Sequence, residues 1–191
     1  PGSEKPASYG GVRQSVADEQ RKGKYQEHKM TIYNGRAITD QLSLEREGFI
    51  FVNHETKMKN FYDEDEVRSL YYKETEELVK RTSGAKRVVV FDHTLRSADP
   101  ATREEKQISG PVRNAHNDYT DWSGPQRVRD LLPNEAEELL KHRFAIVQTW
   151  RPINKPVQRE PLAIADARSI GTKELVASAR IYPDRVGETC H

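Results

Sequence analysis

Apolar positions in this chain fall mostly into short runs, either alternating with polar residues or unbroken, and bounded by turn formers. Lys29 to Tyr33 predicts a strand, Asn34-Gly35 a hairpin turn, and Arg36-Ala37-Ile38 the returning strand. Gly48 to Val52 predicts a third strand, and the β-branched run Lys86 to Phe91 predicts one buried on both faces. From Phe144 to Ile153 the residues alternate, with Phe144, Ile146, Gln148 and Trp150 on one face. Pro161 to Ile170 and Leu175 to Tyr182 complete the predicted strands. One stretch has helical spacing instead. Val67, Leu70, Tyr71, Leu78 and Val79 form a stripe, Asp63 and Glu66 make a capping-box-like start, and Gly84 is the terminator. Shorter helices are predicted for 126–132, opened by Gly124-Pro125, and for 135–142, with Pro133-Asn134 between them. Residues 1–28 are polar with little periodicity and predict an N-terminal arm, partly flexible, leaving 29–191 as one domain. Six or more short strands with few helices point to a mainly β fold, a sandwich or barrel with flanking α-helices.

Composition narrows the partners. The 191 residues are 32% charged and 35% hydrophobic, with a formal net charge of +1 and both signs interspersed. No basic patch calls for nucleic acid, and the apolar runs are strand-sized, so neither nucleic acid nor a membrane is expected as a partner. Cys190 is the single cysteine and has no internal disulfide partner, so a cytoplasmic location is expected.

The candidate chemistry lies in Pro111 to Trp122, where His116 and Asp118 stand one residue apart. In an extended segment such a pair projects to one side and can reach one metal ion. Fe(II) sites of the 2-His-1-carboxylate type use this pair with a second histidine. From spacing alone the commoner reading of such a pair is a loop histidine bonded to a nearby carboxylate. Tyr119, Thr120 and Trp122 would line such a site, or anchor the loop to the core. Arg113 and Arg151 could pair with a carboxylate through the guanidinium fork, although a structural ion pair is the commoner fate of an arginine. His93 is a further polar candidate, and Asp166 and Arg168 share a strand face.

Four motifs in order add a resemblance. They are Arg87 to Arg96, Pro111-Val112-Arg113 running into His116-Asn117-Asp118-Tyr119-Thr120, Trp150-Arg151-Pro152-Ile153, and Pro161 to Ser169. Together they resemble the secondary-metabolite hydroxylase/desaturase family of non-haem Fe(II)/2-oxoglutarate oxygenases, over about Tyr33 to Glu188. The resemblance implies a double-stranded β-helix (jelly roll), with His116 and Asp118 as iron ligands and Fe(II), 2-oxoglutarate and O2 as cofactor and cosubstrates. It also implies hydroxylation or desaturation of a small-molecule secondary metabolite. The family's distal histidine and a cosubstrate-binding arginine lie on late strands. Here the one histidine beyond the matched stretch is His191, at a terminal position that would ordinarily fray. The expectation is therefore a jelly roll lacking its last strands, with His191 the one third-ligand candidate in the chain. An open sheet edge would then be covered by a homo-oligomer or another partner. Two other functions fit the residues: a jelly-roll binding module without catalysis, and a divalent-metal hydrolase using His116, Asp118 and Asp121.

Overall fold

The computed structural model describes Ala7–Tyr9 and Arg21–Lys22 by their backbone, and residues 26–181, 183 and 186–191 in full. Most of the predicted N-terminal arm lies outside the described residues, as does Tyr182 at the end of the last predicted strand. The chain divides into two compact units, each described by itself. Unit 1 comprises Pro1–Ile32, Asn114–Ile146 and Ser169–His191, and unit 2 comprises Tyr33–Arg113 and Val147–Arg168.

Unit 1 carries a four-stranded sheet. Its strands are β1 (Ala7–Tyr9), β2 (Arg21–Lys22), β3 (Ala177–Ile181) and β4 (Val186–Cys190), in the order β2-β1-β3-β4. β1 runs antiparallel to β2 and parallel to β3, while β3 and β4 are antiparallel with Ala177 opposite Cys190. The far edge of β4 continues into one more pairing, an antiparallel bridge between Asn117 and Cys190. Helix α4 (Ser123–Leu131) follows that bridge, and α5 (Ala136–Leu139) follows α4. Cys190 and Ser178 are buried in the sheet, and Ala136 is buried at the start of α5.

Unit 2 is built on one long helical segment: α1 (Glu64–Glu66), a π-helical turn over Val67–Tyr71, and α2 (Tyr72–Ser83). It starts where the sequence predicts. The Asp63 carboxylate accepts the N–H groups of Asp65 and Glu66, satisfying two of the donors a helix start leaves open. It also ends as predicted, at Gly84 with φ +72°, a left-handed conformation that glycine takes without steric cost. Of the predicted stripe, Val67 and Val79 are buried, and Leu70, Tyr71 and Leu78 are half-buried. The expected capping box is different. Glu66 turns outward from the helix start and accepts the N–H groups of Lys59 and Asn60, while Glu74 holds Thr56 Oγ1 and the Lys57 N–H. Two helix carboxylates thus strap residues 56–60 to the helix. Helix α3 (Pro100–Lys106) is capped by Asp99, whose carboxylate accepts the N–H groups of Ala101 and Thr102.

The strand predictions are largely corrected. Lys29–Tyr33, Gly48–Val52, Lys86–Phe91, Phe144–Ile153 and Pro161–Ile170 form no strand among the described residues. Asn34-Gly35 opens no hairpin. The Asn34 side chain accepts the Arg36 N–H and caps a 3-10 segment, Gly35–Gln41, where Arg36 to Ile38 was expected to be a strand. Only the prediction for Leu175–Tyr182 is met, by β3. The mainly β architecture is therefore not what the described residues display, because most β-favouring segments have no ladder partner among them. Among the described residues no helix is long and apolar enough to cross a membrane.

Candidate metal centre

The bridge between Asn117 and Cys190 is the device that assembles the site. Its two backbone hydrogen bonds are both 2.8 Å long, Asn117 N–H to Cys190 O and Cys190 N–H to Asn117 O. Side chains alternate along paired backbone, so the neighbours of this pair share the opposite face. His116 lies across from His191, and Asp118 across from Thr189. The same alternation sends Cys190 into the interior, where it is buried.

His191 is not frayed. Its N–H donates to Val176 O at 3.0 Å and its carbonyl accepts the Val176 N–H at 2.9 Å, extending the β3–β4 ladder by one pair. Its ring centroid is 6.2 Å from that of His116, tilted by 38°. The His116 Nδ1 is 3.0 Å from the Asn114 carbonyl oxygen, which can only accept, so Nδ1 carries hydrogen. The other nitrogen, Nε2, is 3.3 Å from Asp118 Oδ1. The side chains of His116 and Asp118 are 27% and 47% exposed, accessible from outside. Among the described residues no three His, Cys, Asp or Glu side chains are already gathered closely enough to hold a metal ion. His116 and Asp118 are in contact, and His191 faces them from the neighbouring strand.

The residues after Asp118 anchor the loop. Thr120 Oγ1 accepts the Ser123 N–H at 3.1 Å and Ser123 Oγ accepts the Thr120 N–H at 2.9 Å, a reciprocal cap that starts α4 one residue before the expected Gly124. Thr120 Oγ1 also donates to Glu188 Oε2 at 2.9 Å, and Ser123 Oγ donates to the Glu188 carbonyl at 3.2 Å, pinning the helix start to β4. Tyr119 OH accepts from Arg127 Nε at 3.2 Å, and Trp122 is 54% exposed.

Asp121 lies in unit 1 with His116 and Asp118, whereas Arg113, Arg151, His93, Asp166 and Arg168 fall in unit 2. Arg113 is largely exposed and ion-paired with Glu160. Arg151 is held between two rings, its guanidinium carbon 5.7 Å from the centroids of both Phe61 and Tyr71, and its Nη2 donates to His54 O. His93 joins a polar cluster, with Nδ1 2.9 Å from Tyr72 OH and Nε2 3.1 Å from Glu64. Asp166 and Arg168 pair with each other at 2.7 Å, and Arg168 also reaches the buried Glu47 at 3.2 Å.

A family model described as "Oxidoreductase/YMDC permease-like domain" matches residues 1–191. The chain belongs to this oxidoreductase family. The chain is 32% identical over 161 residues to the "Alpha-ketoglutarate-dependent dioxygenase tstK" of Talaromyces stipitatus, covering 81% of this chain and 58% of that protein. It is 35% identical over 174 residues to the "Hydroxylase/desaturase CTB9" of Cercospora beticola, covering 85% and 53%. The chain thus spans somewhat more than half the length of these curated relatives. The fold is that of a solved "iron and alpha-ketoglutarate-dependent endoperoxidase NvfI", with a TM-score of 0.77 and 23% identity over 98% of this chain and 70% of that one. Relatives and fold neighbour agree with the Fe(II)/2-oxoglutarate oxygenase family that the sequence motifs indicate.

Proposed function

We propose that this chain carries the iron site of a non-haem Fe(II)/2-oxoglutarate-dependent oxygenase, with His116, Asp118 and His191 as the metal-holding residues. One observation carries the reading: backbone pairing around Asn117 and Cys190 sets two imidazoles and one carboxylate on the same face of the sheet. That donor set is the one non-haem Fe(II) sites use. The His116 ring fits it, because the Asn114 carbonyl takes the Nδ1 hydrogen and leaves Nε2 to face Asp118. A cation between Nε2 and Oδ1 would satisfy a lone pair and a carboxylate together. The His191 backbone is held beside the pair by its two hydrogen bonds to Val176, with its ring centroid 6.2 Å from that of His116.

When bound, Fe(II) would supply the coordination positions on which 2-oxoglutarate and O2 react to oxidise a substrate. The chain's own part is to hold the two imidazoles and the carboxylate in place, and to keep the loop rigid through the Thr120–Ser123–Glu188 contacts. The jelly-roll architecture, a small-molecule secondary metabolite as substrate and a cytoplasmic location belong to the same reading, which draws support from the named relatives. Arg113 and Arg151 both have partners in unit 2, and the reading rests on neither.

Anaerobic titration with Fe(II), then 2-oxoglutarate, is the test. A weak visible charge-transfer band is expected from the wild-type chain. Neither His116→Ala nor Asp118→Ala should give it, although both should keep the wild-type circular dichroism. A folded wild-type protein that takes up no metal overturns the proposal. Metal-dependent turnover without 2-oxoglutarate or O2 would point instead to hydrolysis.

A further inference from the structure

Eight positions separate Glu64 from Tyr72, yet one imidazole in unit 2 holds both. His93 Nε2 is 3.1 Å from Glu64 Oε2, and His93 Nδ1 is 2.9 Å from Tyr72 OH. The Glu64 carboxylate can only accept, whereas the Tyr72 hydroxyl can turn to suit the other nitrogen. Burial pushes the Tyr72 phenol above its ordinary range, although the Arg68 charge opposes it, so the hydroxyl keeps its hydrogen. The two rings meet edge to face, 5.7 Å between centroids. Asp92 steadies the imidazole from behind, its carboxylate accepting the His93 backbone N–H at 2.8 Å.

Such a bridge does not suit a regular helix. At 3.6 residues per turn, side chains eight positions apart point about 80° apart around the axis. Between Glu64 and Tyr72, however, lies the π-helical turn Val67–Tyr71, where the Tyr72 N–H reaches back five residues to Val67 O. A π-helical turn takes up one extra residue. The two side chains then stand as if seven positions apart, about 20° from alignment.

The same offset recurs in two other contacts. Glu66 and Glu74 are also eight apart, one on each side of the turn, and both strap residues 56–60. Glu66 accepts the Lys59 and Asn60 N–H groups, and Glu74 holds Thr56 Oγ1 and the Lys57 N–H. Val67 and Val79, the buried apolar residues of the segment, are twelve apart. In a regular helix they would diverge by about 120°, and with one residue taken up they diverge by about 20°.

We infer that the π-helical turn is a one-residue register device, locked by His93, which brings three contact faces of this helix into line. An α-helix lacking the extra residue would present the same three faces. Without the lock, the wide turn is left with its backbone bond alone. The inference gives His93 a role apart from the proposed metal centre and does not rest on that centre.

The test uses the full chain without metal. Ser69 is an exposed residue of the turn, and its hydroxyl donates to Asp65 O. Deleting it leaves every face in register, so the melting temperature should stay within about 5 °C of wild type. Deleting the exposed Glu77 from α2 instead turns Leu78 and Val79 by about 100° against the rest. That deletion should lower the melting temperature by more than about 10 °C or prevent folding. A Ser69 deletion no more stable than the Glu77 deletion, both unfolded included, overturns the register device. The lock is read from amide exchange at Tyr72. His93→Leu should speed it by roughly 10-fold, the effect of losing a hydrogen bond or two, and His93→Gln should recover part of the protection. An unchanged Tyr72 rate in His93→Leu overturns the lock. Should His93→Leu fail to fold, Tyr72→Phe takes its place with the same expectation and the same overturning result.

Discussion

At the scale of single residues, spacing reveals neighbours along the chain and hides neighbours across it. His116 and Asp118 are legible as a pair because one extended residue separates them. His191 enters the sequence reading only through the resemblance, as the one histidine beyond the matched stretch, and its place opposite His116 comes from a backbone bridge between Asn117 and Cys190. Arg151 shows the converse. Its sequence context suggests a carboxylate clamp, whereas the structure sets it between Phe61 and Tyr71, with its Nε buried and unpartnered. A guanidinium over an aromatic face contributes on the order of 0.5–1 kcal/mol, more when desolvated. Arg151→Met, which keeps much of the apolar stem, is expected to lower unfolding stability by roughly 1–2 kcal/mol in urea titration. A variant as stable as the wild type would show that the rings hold residues 56–71 without the cation.

At the scale of elements, the longest helix was readable and most strands were not, for a physical reason. A helix closes its hydrogen bonds within one segment, so cap, stripe and terminator are all present in the local sequence. A strand needs a partner that the local sequence does not name. Lys86–Phe91 and Phe144–Ile153 have the composition of strands, but among the described residues they form no ladder. Asn34-Gly35 was misread because asparagine serves a 3-10 cap as readily as a hairpin turn. The helix start can be tested directly. Asp63→Ala removes the acceptor for two N–H groups and should cost about 1 kcal/mol, whereas Asp63→Ser should recover most of it. Equal melting temperatures for all three proteins would mean that Glu66 and Glu74, by strapping residues 56–60, fix the helix start unaided.

At the scale of the whole molecule, acid is the condition under which this chain should fail, through unit 2. Burial alone would raise the Glu47 pKa, but the bonds from Arg46 and the Ser43 N–H, with the charge of Arg168, hold it below the ordinary carboxylate range. The same balance applies to Glu74, where Thr56, the Lys57 N–H and the charges of His54 and Arg151 outweigh burial. Thr102 lowers Asp99, and Arg168 lowers Asp166. A carboxylate with a depressed folded pKa contributes stability above its unfolded value, and that contribution is lost as pH falls through the folded value, because the unfolded chain takes up protons first. All four shifts have this sign, so they add. Their bonds tie distant parts of unit 2 together, Ser43–Gly48 to Asp166–Arg168 through Glu47, and residues 56–57 to α2 through Glu74. Melting temperature should therefore be nearly flat from neutral to mildly acidic pH and fall once pH drops below about 4 to 4.5, the ordinary range of free carboxylates. Glu47→Gln should melt lower than the wild type at neutral pH and show a shallower acid dependence, since one contributing carboxylate is gone. Hydrogen exchange across the transition should open residues 43–48 and 56–60 before the β3–β4 ladder of unit 1. A wild-type melting temperature unchanged between about pH 7 and pH 3.5, or exchange that opens β3–β4 first, would show that these carboxylates do not govern the acid limit.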